Sequence, residues 1–181
     1  MGKSYPEIDQ NLAKLIQQQH VFFVASAPLS EKGHINLSPK GLDSLRVLGP
    51  RTVAYLDVIG SGVETIAHVK ENGRIVLMFC AFQGPPSVLR LHGRARVVRP
   101  QDPEFSELAP KFSVYDGTRS IILVNVTRIS TSCGSGIPLM KYEGERTQYA
   151  AWVQKKGPEG LKIYERENNA CSIDGLAGLA E

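Results

Sequence analysis

Paired cysteines are missing from this sequence. Cys80, Cys133 and Cys171 lie 53 and 38 residues apart, with no Cys-x-x-Cys spacing and no nearby histidine pair, so neither a disulfide framework nor a zinc site is indicated. The four histidines, His20, His34, His68 and His92, are equally scattered, and no His-x-x-x-His pair exists to grip a metal on one helix face. Long apolar runs are missing too. The longest, Ile75 to Phe82, fits a buried strand and falls far short of the roughly 18 residues a membrane span needs. The start, Met1-Gly2-Lys3-Ser4-Tyr5-Pro6, has no apolar signal region, and Pro6 stands where a myristoylation motif needs Ser or Thr. The expectation is a cytoplasmic protein that binds no membrane. Aromatic residues make up only 7% of the chain, and with few of them beside the arginines no nucleic-acid recognition motif is present.

What remains is ordinary for a globular protein. The 181 residues are 42% hydrophobic and 22% charged with a net charge of +3, which suits one domain over residues 1–181 with a core of its own. Ile8, Leu12, Leu15 and Ile16 recur at helical spacing over 7–18, giving a short amphipathic helix. Strands are expected at 21–25, 34–38, 51–58, 74–82, about 89–97 and 120–132, with turns at 28–33 and 84–86. A crossover helix over 63–72 is closed by Gly73, a helix over 100–111 starts at Asp102-Pro103-Glu104, and Gly157-Pro158 separates a helix over about 145–156 from a shorter one. The strand at 74–82 is apolar on both faces and so central or at a subunit contact. The next one alternates, with Leu89, Leu91, Gly93, Ala95 and Val97 on one face and Arg90, His92, Arg94 and Arg96 on the other. Hairpins dominate, so the fold class is mainly β (α+β), a six-stranded antiparallel barrel with one crossover helix and terminal helices.

Gly60-Ser61-Gly62-Val63-Glu64-Thr65 is a glycine-rich turn between a strand and a helix, the setting in which dinucleotide folds hold pyrophosphate. Thr65 replaces the third glycine, and no acid occurs between Glu71 and Asp102 to hold a ribose, so the Rossmann reading fails. Two readings stay open. Ser61, Gly62 and Thr65 give hydroxyls and N–H groups to one phosphate, or Ser61 is an N-cap and Glu64 a helix-favouring first-turn acid. Five arginines and no acid between 72 and 101 suggest an anion beside the fifth strand, against the plainer reading of a solvated face. Cys133, ahead of Gly-Ser-Gly, is a ligand-contacting thiol or, as the better expectation, a buried small hydrophobe. Trp152 and Tyr149 read as core, and His68 as a satisfied histidine.

The segments Ile35-Asn36-Leu37-Ser38-Pro39-Lys40-Gly41, Ala54-Tyr55-Leu56-Asp57, Ala67 to Phe79 and Leu91-His92-Gly93-Arg94-Ala95 resemble the pyridoxamine 5'-phosphate oxidase-like, FMN-binding split-barrel family. The resemblance covers about residues 10–132, the barrel core, and leaves 133–181 as a C-terminal loop, helices and tail. It implies a homodimer with two flavin sites, each built from both chains. By position, Asn36, Leu37, Ser38 and Lys40 would lie along the ring edge, and Asp57, Ser61, Gly62 and Thr65 would meet the ribityl phosphate. Ser87 and Arg90 would approach from the neighbouring strand, and the Cys133 loop from the partner chain. The Arg-Lys pair of true oxidases is replaced by Glu64 and Thr65, their Arg-Gln by Ser87-Val88, and their C-terminal Arg-x-His substrate clamp has no counterpart. The expectation is an FMN-binding oxidoreductase acting on a small molecule other than pyridoxamine 5'-phosphate. The alternative is a non-catalytic module holding haem, deazaflavin or another ligand in the same dimeric barrel, with His34, His68 or His92 available as axial ligands for haem.

Overall fold

Strands form where branched and aromatic side chains run in phase with burial. In the computed structural model, which describes residues 2–113 and 116–179, these are β1 (Lys3–Tyr5), β2 (Phe22–Ser26), β3 (Asn36–Lys40), β4 (Leu45–Gly49), β5 (Thr52–Val58), β6 (Arg74–Cys80), β7 (Val88–Val98) and β8 (Thr118–Ser132). The helices are α1 (Gln10–Gln17), α2 (Glu64–Asn72), α3 (Pro103–Leu108) and α4 (Gln148–Asn168). All strands belong to one antiparallel sheet ordered β3-β2-β6-β7-β8-β5-β4, with β1 added to β8.

The first and last strands of that order, β3 and β4, are joined only by residues 41–44. The sheet therefore curls until its two ends meet, yet they share no ladder. This is the split. The link turns through left-handed backbone at Leu42 (φ 62) and Asp43 (φ 48), a conformation that costs a side-chain-bearing residue about 1–2 kcal/mol. Ser44 anchors it, its N–H donating to Gly41 O and its carbonyl accepting from Leu56 N at 2.9 Å.

The interior is filled by Val24, Tyr55, Ile66, Leu77, Phe79, Leu89, Leu91 and Ile122, all 1% exposed or less. Helix α2 covers one opening of the barrel with Ile66 and Val69 and stops at Gly73 (φ 71), whose N–H returns to Val69 O at 3.0 Å; such a left-handed cap suits glycine. Helix α1 is capped by Asp9, which accepts from Leu12 N at 2.8 Å. β7 and β8 form the longest ladder, and its register jumps between His92 and Gly93. At Gly93 any Cβ would strike the Asn125 carbonyl, so the strands approach there because the residue is glycine.

Several expectations shift. The sheet has two more strands than the six read from the sequence: β1 is a three-residue edge, and β4 is half-buried at every position, so neither carries an alternation to detect. The hairpin partner of β2 starts at Asn36 rather than His34. Gly157 (φ 64, ψ 171) breaks α4, as Gly157-Pro158 predicted. Trp152 and Tyr164 meet edge to face over Val153 and Leu161 in a small satellite core. The tail folds back, with Leu179 joining the main core and Gly178 O accepting from Lys70 Nζ at 2.6 Å. On β6, Ile75, Leu77 and Phe79 face inward while Val76 and Met78 are only half-buried. Among the described residues no helix is long and apolar enough to cross a membrane.

Candidate functional site: a cleft at the split

The split is bridged by charge. Asp57, at the end of β5, is fully buried and accepts from Lys40 Nζ of β3 at 3.0 Å and from Arg119 Nε of β8 at 2.7 Å. Burial alone would raise its pKa, but the two cations and their hydrogen bonds outweigh this and hold it below the ordinary carboxylate value. Arg119, 4% exposed, also donates through Nη1 to Asn169 Oδ1 at 2.9 Å, and Asn169 in turn donates to Gly60 O at 2.8 Å. One carboxylate thus ties β3, β5 and β8 together and, through Asn169, fixes the turn before α2.

A second network runs beside it. The Asn36 side-chain amide donates to Thr65 Oγ1 at 2.9 Å and to Ser26 Oγ at 3.3 Å, while its carbonyl accepts from Ser38 Oγ at 2.8 Å. Ser26 Oγ lies 2.9 Å from His68 Nδ1. His68 is wholly buried, and burial lowers its pKa, so the ring is neutral near pH 7. Asn36 is consequently locked in one orientation by groups from β2, β3 and α2.

Between these networks opens a cleft of about 420 Å³, lined by Asn36, Ser38, Pro39, Lys40, Leu56, Val58, Ile59, Gly62, Glu64, Thr65, Arg119 and Tyr149, with the 41–44 link at its side. Its size falls in the range of small-molecule sites. Its wall along β3 is a sheet edge: among the described residues β3 pairs with β2 alone, so its other edge presents unpaired backbone groups. Among the described residues no His or Cys lines it. Burial pushes the Tyr149 hydroxyl up to about 12, so it stays protonated near pH 7.

Of the residues named from sequence, Asn36, Ser38, Lys40, Gly62 and Thr65 come together in the cleft. Asp57 lies beneath it, its carboxylate engaged by Lys40 and Arg119; an anion so placed orients cations and does not itself meet a phosphate. Leu37 points away and is 63% exposed, because alternate strand residues face opposite sides. Ser61 is exposed and outside the lining, and the residue at the N-cap of α2 is Val63, with no side-chain cap. The N-cap reading of Ser61 is therefore corrected.

Ser87, Arg90 and Cys133 sit at the opposite end of the β7–β8 ladder, away from the lining. Arg90 donates to Ser132 Oγ at 2.8 Å. Cys133 is exposed, not the buried hydrophobe expected, and hydrogen bonds from the Ser135 hydroxyl and N–H lower its pKa. Of the histidines offered to haem, His68 is shut in the core, and His34 is tied to Asp174 at 2.7 Å. His92 is half-buried beside Arg90 and Arg128, with burial first and the arginines second in lowering its pKa.

Sequence reasoning missed Arg119, Asn169 and Tyr149. Their signal is absent from any local motif, since Arg119 and Tyr149 line the cleft, and Asn169 braces it from behind, from elements far along the chain.

Comparison with known proteins settles the family. A family model described as "Pyridoxamine 5'-phosphate oxidase" matches residues 8–133. The chain belongs to the pyridoxamine 5'-phosphate oxidase family. Within that family it is 35% identical to the "Pyridoxamine 5'-phosphate oxidase family protein ustO" of Aspergillus flavus, across 97% of this chain and 77% of the other. Among solved structures it is similar in fold to HupZ of Group A Streptococcus (22% identity, TM-score 0.52, 67% of this chain and 91% of the other). It is similar also to the FAD binding protein of Mycobacterium smegmatis (15% identity, TM-score 0.50, 72% and 97%). The split-barrel class expected from the sequence is thus shared with solved members of this fold.

Proposed function

We propose that this protein is a flavin-binding oxidoreductase that takes FMN in the cleft at the split. The observation carrying this reading is the cleft itself: an unpaired strand edge and a locked amide, Asn36, stand opposite an apolar wall of Leu56, Val58 and Ile59. An isoalloxazine has apolar faces and a polar hydrogen-bonding rim, and those two kinds of surface suit it. Flavin binding by a fold relative, the FAD binding protein of Mycobacterium smegmatis, supports the same class of ligand.

When bound, the flavin supplies the hydride and electron chemistry, and the protein supplies position and electrostatics. Asn36, Ser38 and Thr65 would hold the polar rim, Lys40 would set a positive charge beside it, and Asp57 would keep Lys40 and Arg119 aimed into the cleft. The lining combines amides, hydroxyls and paired cations with one carboxylate, Glu64, and the redox chemistry is left to the flavin.

The cleft is open on one side, and the other residues carried over from the family, Ser87, Arg90 and Cys133, lie elsewhere on the chain. We infer a homodimer in which the partner supplies them and covers the half-buried Val76 and Met78 of β6. The substrate is a small molecule other than pyridoxamine 5'-phosphate, because no cationic clamp for its phosphate occurs among the described residues lining the cleft beyond Lys40 and Arg119, both of which are engaged by Asp57.

The visible spectrum of the purified protein, before and after incubation with FMN, tests the ligand. Bands at about 370 and about 450 nm that remain after gel filtration are expected; a Soret band, or no retained chromophore, overturns the reading. Sedimentation at micromolar concentration is expected to give twice 19.8 kDa, and a monomer refutes the shared site.

A further inference from the structure

The first turn of α2 is where the barrel offers backbone donors to an anion, since a helix start carries unsatisfied N–H groups and the positive end of the macrodipole. In this chain a carboxylate is already there. Glu64, the first residue of α2, lines the cleft and folds back over the preceding turn, so that a Cβ at Gly62 would stand 2.6 Å from its Oε2. Its Oε1 accepts from Ile173 N of the C-terminal tail at 3.3 Å, which holds the side chain in place from the far side. The rest of the cleft has a single surplus positive charge, and Glu64 cancels it. Lys40 and Arg119 share Asp57, and with Glu64 the two cations face two carboxylates.

We propose that Glu64 is a specificity-determining residue that removes the terminal phosphate as a source of affinity, so that the cleft reads the ring and ribityl chain and accepts riboflavin about as well as FMN. This rests on the flavin reading above. A phosphate dianion brought to the α2 start meets a fixed negative charge at close range instead of the open helix terminus. The N–H donors and the Thr65 hydroxyl remain able to bind the neutral hydroxyls of a ribityl chain. The tail contact at Ile173 makes the arrangement a property of the folded chain rather than of one mobile side chain.

The test is a flavin-fluorescence titration of the full chain with riboflavin and with FMN, for the wild type, Glu64→Gln and Glu64→Ser. For the wild type the two dissociation constants are expected to agree within about tenfold. In both variants the preference for FMN is expected to rise by about fivefold or more, the scale of one charge-assisted hydrogen bond or of one relieved repulsion. A wild-type preference for FMN beyond tenfold, or a preference that shifts by less than fivefold in a folded variant, overturns the assignment. The two variants, checked by circular dichroism, guard against one of them failing to fold. If the wild type binds neither flavin, the flavin reading itself has failed; if it binds both but the ratio ignores Glu64, only this inference has.

Discussion

The two ends of the β7–β8 ladder differ in how their polar residues are held. At the split end, Lys40, Asp57, Arg119 and Asn169 form one continuous chain of bonds, and Asn36 with Ser26, Ser38 and Thr65 another, so each side chain there has a single orientation set by several elements. At the other end Arg90 leans on Ser132 and Cys133 on Ser135, neighbours or near-neighbours in one ladder and one loop. A preorganised site needs the groups that touch a ligand to be held from behind by others, and of the two ends only the split has that support. The other end lacks that support, and the proposed dimer is what would bring it to a second cleft.

The largest break in this contrast is expected from Asp57→Asn. It leaves Arg119 buried beside an uncharged amide and unties Lys40, and breaking a buried pair from one side costs about 3–5 kcal/mol; denaturant unfolding at pH 7 measures it. The pH dependence has a fixed sign. Because the folded pKa of Asp57 is lowered, its contribution is complete above the unfolded carboxylate value of about 3.9 and is lost as pH falls through the folded value. The wild-type advantage over Asp57→Asn is therefore expected to be constant from about pH 5 to 7 and to shrink in the most acid range.

Ligand binding separates the two ends next. Lys40→Ala is expected to weaken FMN and riboflavin alike by about 1.5–3 kcal/mol, the range for hydrogen bonds to charged groups. Arg90→Ala is expected to weaken them by a similar amount only if the partner chain brings Arg90 to the cleft, so equal losses in a dimer sharpen the contrast and an unaffected Arg90→Ala narrows the site to one chain. A smaller effect concerns Tyr149. Its hydroxyl titrates at about 12, so ultraviolet titration of Tyr149→Phe is expected to lack one late phenolate step, with stability changed by less than about 1 kcal/mol because its bond to Gly117 O is long at 3.5 Å. The smallest is His34→Ala. Its pair with Asp174 is solvent-exposed on the histidine side, where an ion pair is screened, and the thermal midpoint is expected to stay within about 2 °C of the wild type.

How much of this was legible in the sequence follows from where each signal lives. The strands β2, β5 and β6 announce themselves because one or both faces are buried along most of their length, β7 and β8 because their apolar residues alternate or cluster over long runs, and Gly73 and Gly157 mark helix ends because left-handed backbone selects glycine. β4 gave no such sign: residues 45–49 are half-buried throughout, and Pro50 follows directly. Lys40 and Asp57 could be named because both lie in the stretches that resemble the family. Their roles could not, since Asp57 looks like a ligand-facing acid until Arg119 and Lys40 are seen to enclose it.

By itself the sequence determined the class of fold, the crossover helix, and the two breaks after it and in the C-terminal helix, while Asn36, Ser38 and Lys40 on one strand and Thr65 on the crossover helix were named through the family resemblance. Periodicity and turn chemistry are local, and they survive without knowledge of the rest of the chain. Tertiary structure alone decided that Asn36, Ser38, Lys40 and Thr65 meet in one cleft, that Arg119 and Asn169, far away in sequence, tie Lys40 and Asp57 beside them, that Leu37 faces away, that Cys133 is exposed, and that Glu64 folds over the start of α2 with the tail against it. Those facts depend on which distant segments a curled sheet brings into contact, and curvature and long-range pairing leave no period in the chain that produces them.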